Sequence, residues 1–213
     1  MSSGLVLFVG NKNLSSWSLR PYLALSHAGA AFETVVVRLD VPGTRDRILA
    51  VSPSGRVPSL RDGEVLVWDS LAICEHVAER FPEAKLWPED VARRAHARSV
   101  SAEMHAGFAD LRREMPMNIV LRTTKAPSAE VARDIARVQE IWTECRERYG
   151  AAGPFLFGAF SVADAMYAPV VTRFETYGVS VGAPVRAYMD AVQALPAMRA
   201  WATDAAEEVK GAA

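Results

Sequence analysis

The segment Leu5–Val9 is an unbroken apolar run, and it constrains the fold of the first third of the chain more than any other stretch. A strand of this kind is typical of a sheet that is buried on both faces. A helical pattern follows, with Pro21 in its first turn and Gly29 as its stop, so this helix should begin near residues 16–18. The β-branched run over residues 32–39 then predicts a second strand, parallel to the first.

The stretch over residues 57–80 predicts a hairpin that runs into a helix. Pro58 cannot donate a ladder hydrogen bond, so it belongs at the start of a strand. The pair Asp62-Gly63 is a strong turn signal, and residues 64–68 have the pattern of the next strand. An apolar helical pattern over residues 70–80 completes a βαβ-ββα layer.

The rest of the chain has no strand-like alternation. Prolines bound the segment 81–88, which is typical of a linker. We therefore predict an α/β domain over residues 1–82, a linker over 83–90 and an all-helical bundle over 91–213. The predicted helices of the bundle cover residues 89–115, 128–149, 161–177, 184–194 and 196–209.

Composition and charge argue against several classes of function. The 213 residues carry a formal net charge of -1, so no basic excess indicates a nucleic acid or an anionic membrane as partner. The chain lacks an uncharged apolar run of about 18 residues, and its short apolar start has no cationic lead for a signal peptide. Cys74 and Cys145 are too few for a disulfide framework, and the four histidines lack metal-ligand spacing. We expect a cytoplasmic protein without a metal.

Two features indicate a site for an amino-acid-like head group. Asp69 and Ser70 place a carboxylate and a hydroxyl beside the free amides of a helix N-terminus, where an anion and an ammonium group can bind together. A bend before Pro58 would leave the backbone groups of Val57 unpaired and available to a peptide. The alternative for Asp69 and Ser70 is an ordinary helix N-cap.

Three short motifs occur along these elements: Ser15-Ser16-Trp17-Ser18, Val57-Pro58 and Asp69-Ser70. Together with the order of the elements, they resemble the cytosolic glutathione transferases. The resemblance implies a thioredoxin-like N-terminal domain, glutathione as co-substrate, a small electrophile as second substrate and a homodimer. It also implies that Pro58 is cis, that Val57 pairs with the cysteinyl part of glutathione, and that Asp69 and Ser70 hold the γ-glutamyl group.

The serines are candidates for activating the glutathione thiol. A free thiol has a pKa near about 8.5, so little of it is thiolate at neutral pH. A hydroxyl that donates to the sulfur at the positive end of a helix stabilises the thiolate. The run resembles the Ser-Ser-Cys-Ser of zeta-type members, whose first serine is catalytic, which favours Ser15 and leaves Ser16 as the alternative. Trp17 replaces the cysteine of that motif, and the serines could instead simply cap the helix.

The helical part contributes further candidates. Ser161 and Asp164 have the form of a capping box, which also matches the core helix of the transferase helical domain, and we interpret them as folding residues. By resemblance the second substrate lies between the serine helix and the first helices of the bundle, although core packing is the alternative for each candidate there. The arginines of this region are expected mostly on a solvated face, with one or two reaching the cleft. The candidate lining residues are His105, Phe108, Met115 and the segment 117–119, with Asn118 at its centre.

We therefore predict a glutathione S-transferase in a detoxifying role, in which the bound thiolate attacks a small electrophile. Three alternatives stay open. The first is a glutathione-dependent isomerase of the zeta (maleylacetoacetate isomerase-like) kind, and the second is another glutathione-dependent reaction, such as dehalogenation or ether cleavage. The third is a non-catalytic module that uses the fold for protein association. Such a module would not need the serines, Val-Pro and Asp-Ser together, so their joint presence favours a working site.

Overall fold

A computed structural model describes residues 4–39 and 41–211 of the chain. Four strands in these ranges form one sheet with the order β2-β1-β3-β4. β1 is parallel to β2 and antiparallel to β3, and β3 is antiparallel to β4, so the predicted parallel pair is confirmed within a mixed sheet. The strands are β1, Leu5–Val9; β2, Glu33–Val36; β3, Ser59–Asp62; and β4, Val65–Trp68.

Helices cover the sheet and form the remainder of the described chain. The sheet region contains α1, Ser16–His27; α2, Thr44–Leu49; and α3, Ser70–Arg80. A 3-10 turn over Pro82–Ala84 opens the connection to the helical region. That region contains α4, Val91–Ala106; α5, Ala109–Glu114; α6, Ala129–Tyr149; α7, Val162–Tyr177; α8, Ala183–Ala194; and α9, Pro196–Lys210.

The predicted burial of β1 is confirmed, and the core continues from it into the bundle. Leu7 and Val9 have no exposed surface, and Leu19 and Leu23 of α1 are 0% and 1% exposed. α1 packs against α3 of the sheet region and against α7 of the helical region. One hydrophobic core therefore joins both regions, and each fully buried leucine contributes about 2 kcal/mol to it.

Two element boundaries differ from the sequence prediction. The helix predicted over residues 89–115 is two helices, because Phe108 adopts a left-handed conformation with φ of 59°. A side chain at Gly107 would place its Cβ 2.8 Å from the carbonyl oxygen of Glu103, so the break requires glycine there. The second strand ends at Val36 rather than residue 39, because the amide of Leu39 donates to the side chain of Asn11 instead of to a strand.

The predicted capping box is present at the start of α7. Asp164 accepts hydrogen bonds from the amide and the hydroxyl of Ser161, at 2.8 and 2.9 Å, and from the amide of Leu156 at 3.0 Å. Burial raises the pKa of Asp164 to about 6, although these bonds favour its ionised form. Both cysteines are buried free thiols. Across the described ranges, no helix combines the length and apolar character that a membrane span requires.

Candidate functional site

A cleft of about 430 Å³ lies where the sheet region meets the helical region. This volume is typical of pockets that hold small molecules. The four residues predicted to bind the ligand meet there, since Val57, Pro58, Asp69 and Ser70 all line the cleft. The other lining residues are Trp17, Ser54, Arg56, Trp68 and His105.

The backbone of Val57 offers the cleft an unpaired amide and carbonyl. The Val57–Pro58 peptide bond is cis, as the resemblance implied. Pro58 is buried, and β3 begins directly after it at Ser59. In the ranges that the structure describes, neither backbone group of Val57 has a protein hydrogen-bond partner. The edge is therefore suited to pairing with an extended peptide.

Asp69 uses its two carboxylate oxygens differently. Oδ1 accepts hydrogen bonds from the amides of Leu71 and Ala72, at 2.9 and 3.3 Å, and so caps α3. Oδ2 lies 3.3 Å from Nε2 of His105. The backbone of Asp69 has φ of 75°, an uncommon value for a residue other than glycine. The capping role and the ligand-binding role are thus compatible, because the second oxygen is not used by the helix.

His105, in the last turn of α4, brings the helical region to the site. Its ring packs edge-on against Trp17, with the ring centroids 5.3 Å apart. Burial lowers the pKa of His105, Asp69 raises it, and the nearby guanidinium groups of Arg20 and Arg112 lower it again. The net effect favours a neutral imidazole at neutral pH. Nδ1 of His105 is buried and has no partner among the described residues.

The other three histidines lie apart from the cleft. His76 pairs with Asp62 at 3.0 Å, His96 lies 3.1 Å from the hydroxyl of Tyr149, and His27 packs against an aromatic ring. No group of three or more histidine, cysteine or carboxylate side chains in residues 4–39 and 41–211 is arranged to hold a metal ion. Each histidine of the described chain therefore makes its own contacts, apart from the other histidines.

The predicted catalytic serines lie beside the cleft rather than on its lining. Ser15 and Ser16 are each 7% exposed, and the side chain of their run that lines the cleft is Trp17. Ser15 Oγ lies 2.7 Å from Ser18 Oγ, which accepts a hydrogen bond from the amide of Gly10 at 3.1 Å. The side chain of Ser15 makes no capping bond to α1. Its hydroxyl therefore contacts the hydroxyl of Ser18 and does not cap the backbone of α1.

Most of the predicted second-substrate residues do not reach this cleft. His105 lines it, but Phe108 and Met115 are core residues, 7% and 1% exposed. Asn118 accepts hydrogen bonds from the amide of Leu121 and the hydroxyl of Thr176. The physical reason is the break at Gly107, which turns the chain away from the axis of α4 and into the interior.

Four lining residues were missed by sequence reasoning: Trp17, which was considered only as part of the serine motif, and three others that each had a signal in the sequence. Ser54 and Arg56 flank Gly55, just ahead of Val57, and Trp68 directly precedes Asp69. Proximity along the chain to two predicted ligand residues would have identified them. Trp68 is 46% exposed, which is unusual for so large an aromatic side chain.

Comparisons with known families match both regions of the chain. Residues 14–80 match the model described as glutathione S-transferase, N-terminal domain, and residues 128–204 match the model described as glutathione S-transferase, C-terminal domain. The chain is 30% identical over 201 residues to the maleylacetoacetate isomerase of Pseudomonas aeruginosa, covering 91% of this chain and 93% of that protein. It is 32% identical over 107 residues to a probable maleylacetoacetate isomerase of Caenorhabditis elegans, covering 50% of this chain and 49% of that protein.

A solved structure shows the same architecture. A glutathione transferase homolog from Burkholderia, determined with bound glutathione, is similar with a TM-score of 0.75 at 22% identity. The match covers 95% of this chain and 98% of that one. At this level of identity the likeness concerns the fold, and it confirms the predicted thioredoxin-like layer followed by a helical bundle.

The contact between Asp69 and His105 can be tested by measuring the pKa of His105 with and without the Asp69 carboxylate. In Asp69→Asn the pKa of His105 should fall further below its usual 6.5, because burial persists while the attraction of the carboxylate is lost. NMR titration of the imidazole protons measures this value, and His27, whose ring packs against Phe160, is the internal control. An unchanged His105 pKa would contradict the contact.

The lowered pKa of His105 in the native protein makes the free energy of unfolding depend on pH. Folding lowers the pKa of His105, so the folded state binds its proton more weakly than the unfolded state does. This contribution to stability is fully present above the ordinary pKa of 6.5 and is lost as the pH falls through the lowered value.

Proposed function

The chain belongs to the glutathione S-transferase family. From this premise we propose that it binds glutathione beside Asp69 and that the thiolate of the bound glutathione attacks a small electrophile. The two domain matches agree with the predicted enzyme class, a glutathione S-transferase. The observation that carries the proposed site is the convergence of the unpaired Val57 backbone, the Asp69 carboxylate and the Ser70 hydroxyl on one cleft. These groups suit the parts of a γ-glutamyl peptide.

Charge and hydrogen bonding support one orientation of the tripeptide. Oδ2 of Asp69 can accept from the γ-glutamyl ammonium, and the hydroxyl and backbone amide of Ser70, at the N-terminus of α3, suit the carboxylate of the same head group. The amide and carbonyl of Val57 can pair with the cysteinyl residue as an added strand would. Arg56 lines the cleft, is exposed and suits the glycyl carboxylate.

A chain of hydroxyl groups supports Ser15 as the donor to the sulfur. The amide of Gly10 donates to Ser18 Oγ, and the two serine hydroxyls lie within hydrogen-bonding distance. We propose that Ser18 donates to Ser15 Oγ, which frees the hydrogen of Ser15 for the thiolate. Hydrogen bonds linked in this way strengthen one another. The N-terminus of α1 adds a partial positive charge. Ser16 is the alternative donor.

The proposed reaction has simple stoichiometry. The thiol proton passes to water, and a sulfur lone pair forms a bond to the electrophilic carbon. The leaving group departs with the electron pair of the bond that breaks. Residues of this chain bind, orient and ionise glutathione, and no metal is required for any of these steps.

A glutathione-dependent isomerase is the second candidate function. It is favoured by the similarity to the Pseudomonas aeruginosa protein named maleylacetoacetate isomerase, which extends over 91% of this chain. Trp17, in place of the cysteine of the zeta-type motif, favours conjugation. A transferase consumes glutathione, whereas an isomerase returns it unchanged, so the loss of free thiol during turnover distinguishes the two.

Three finer points belong to the same proposal. The domain limits lie at residues 82 and 91, between the end of α3 and the start of α4. The protein is a homodimer, supported by the apolar side chains that edge strand β4 exposes, Val65 at 51% and Leu66 at 36%. A cytoplasmic setting is supported by the two unpaired thiols of Cys74 and Cys145.

Replacing Ser15 tests the thiol donor. Ser15→Ala should still gain thermal stability from glutathione, because the head-group contacts are intact. The loss of one hydrogen bond to the thiolate should raise the pKa of the bound thiol by about one unit and lower turnover of a chlorodinitrobenzene about tenfold at neutral pH. Ser16→Ala tests the alternative donor in the same assay, and native turnover in Ser15→Ala would remove Ser15 from the mechanism.

Replacing Asp69 tests the head-group site. Asp69→Asn can still cap α3 but has lost the charge that attracts the ammonium group, so retention on immobilised glutathione should weaken. Asp62→Asn is the matched control, because Asp62 pairs with His76 and Arg80 outside the cleft. Equal retention of both variants would exclude Asp69 from the binding site.

A further inference from the structure

We propose that Arg20 and Arg112 are positioning residues whose positive field, held against Trp17, stabilises the thiolate of bound glutathione. This inference rests on the proposed function, because it concerns the same cleft. It assigns a role to two residues that do not themselves line the cleft. Neither is expected to touch the ligand.

Trp17 connects both arginines to the cleft. Its side chain is part of the lining, and Cζ of Arg20 and Cζ of Arg112 lie 4.3 and 4.8 Å from its ring centroid. The face of an indole ring is electron-rich and attracts guanidinium groups. A cysteine at this position would offer no such face. The tryptophan therefore holds two cations close to the site of the reaction.

The charges of this pair lack carboxylate partners within the described residues. Arg20 is 1% exposed, its Nη1 lies 3.4 Å from Ser70 Oγ, and its Nε has no partner in the part of the chain described. Arg112 donates to the carbonyls of Met104 and His105 at the end of α4, and its Nε is equally without a partner there. Buried charges are normally paired, because desolvation is costly. An anion in the cleft would compensate the buried charge of Arg20 and the half-buried charge of Arg112.

Burial, together with the nearby charges of Arg112 and Arg173, lowers the pKa of Arg20 to about 9. Arg20 therefore keeps its charge at neutral pH in spite of its burial. Arg173 adds a second buried cation beside the half-buried Arg112, and its Nε donates to the carbonyl of Met115. These cations outnumber the nearby carboxylates, which are Asp69 and Asp134. The titratable groups that face this region are Arg20 of α1, Asp69 and Cys74 of α3, His105 of α4, Arg112 of α5, Asp134 of α6 and Arg173 of α7.

A thiolate fits this arrangement better than a carboxylate of the electrophile does. Nη1 and Nη2 of Arg112 already donate to carbonyl oxygens, and Arg20 is enclosed, so neither presents a free pair of donors to a carboxylate in the cleft. The electrostatic field of the two arginines can stabilise the thiolate without direct contact. A unit charge about 10 Å away, at an effective dielectric constant of about 20, shifts a pKa by about one unit. The arginines thus add to the direct hydrogen bond from Ser15.

The test measures the pKa of the thiol in the glutathione complex, from the ultraviolet absorbance of the thiolate over a pH series. Arg112→Met should raise this pKa by about one unit and lower turnover at neutral pH by up to about tenfold. Arg112→Lys keeps the charge and should restore most of the native value. Arg113→Met is the matched control, because Arg113 is the next residue of α5, is exposed and pairs with Asp110. Arg20→Met removes the second charge, on α1 instead of α5, and should also raise the pKa of the glutathione thiol.

The outcomes separate this inference from the proposed function. A native thiol pKa in Arg112→Met that still binds glutathione would overturn the inference alone. An equal rise in Arg112→Met and Arg112→Lys would also overturn it, since packing rather than charge would then be responsible. If glutathione fails to raise the melting temperature of the native protein, the proposed function is wrong and the inference fails with it.

Discussion

The burial of α1 on both of its sides is the constraint on which the site depends. This helix packs against α3 of the sheet region and against α7 and α9 of the helical region. Its residues Leu19, Leu23 and Leu25 are at most 1% exposed, so any sliding of the helix would open cavities on both sides. The N-terminal end of α1 is consequently fixed at the junction of the two regions. Ser15 and Trp17 are held there, one beside the cleft and the other on its wall.

Residues from the far end of the chain hold the same junction. The loop between β1 and α1 donates to Glu208 of α9 through the backbone amide of Lys12 at 2.7 Å, and the side chain of Asn11 donates to the same carboxylate. The indole of Trp201 donates to the carbonyl of Lys12 at 2.8 Å. The last helix therefore braces the loop that leads to Ser15. The proposed position of Ser15 therefore depends on the β1–α1 loop and on α9, which lie far apart in the sequence.

Local patterns were sufficient to predict the sheet region, and they also led to the residues proposed for the head-group site. The apolar run of β1, the turn at Asp62-Gly63 and the capping box at Ser161 each act over a few residues, so their structure follows from their neighbours in sequence. The ligand role of Asp69 and its N-cap role looked like alternatives in the sequence. The structure shows why one residue suits both, since each carboxylate oxygen has a separate direction.

The surroundings of the position proposed for the thiol could not be predicted in the same way. Arg20 has the sequence context of an ordinary helical residue, and Arg112 has that of a solvated face; their contacts with Trp17 arise only when α1 and α5 pack together. The break at Gly107 was hidden because an isolated glycine is tolerated inside a helical pattern. That break decides which residues reach the cleft. It places His105 on the lining and removes Phe108 and Met115 from it.

A crystal structure of the protein with glutathione tests the central claim most directly. The account predicts the γ-glutamyl ammonium within hydrogen-bonding distance of Asp69, the cysteinyl backbone paired with Val57, and the sulfur between the hydroxyl of Ser15 and the ring of Trp17. An empty cleft at saturating glutathione would contradict the account, as would a sulfur atom remote from both Ser15 and Ser16.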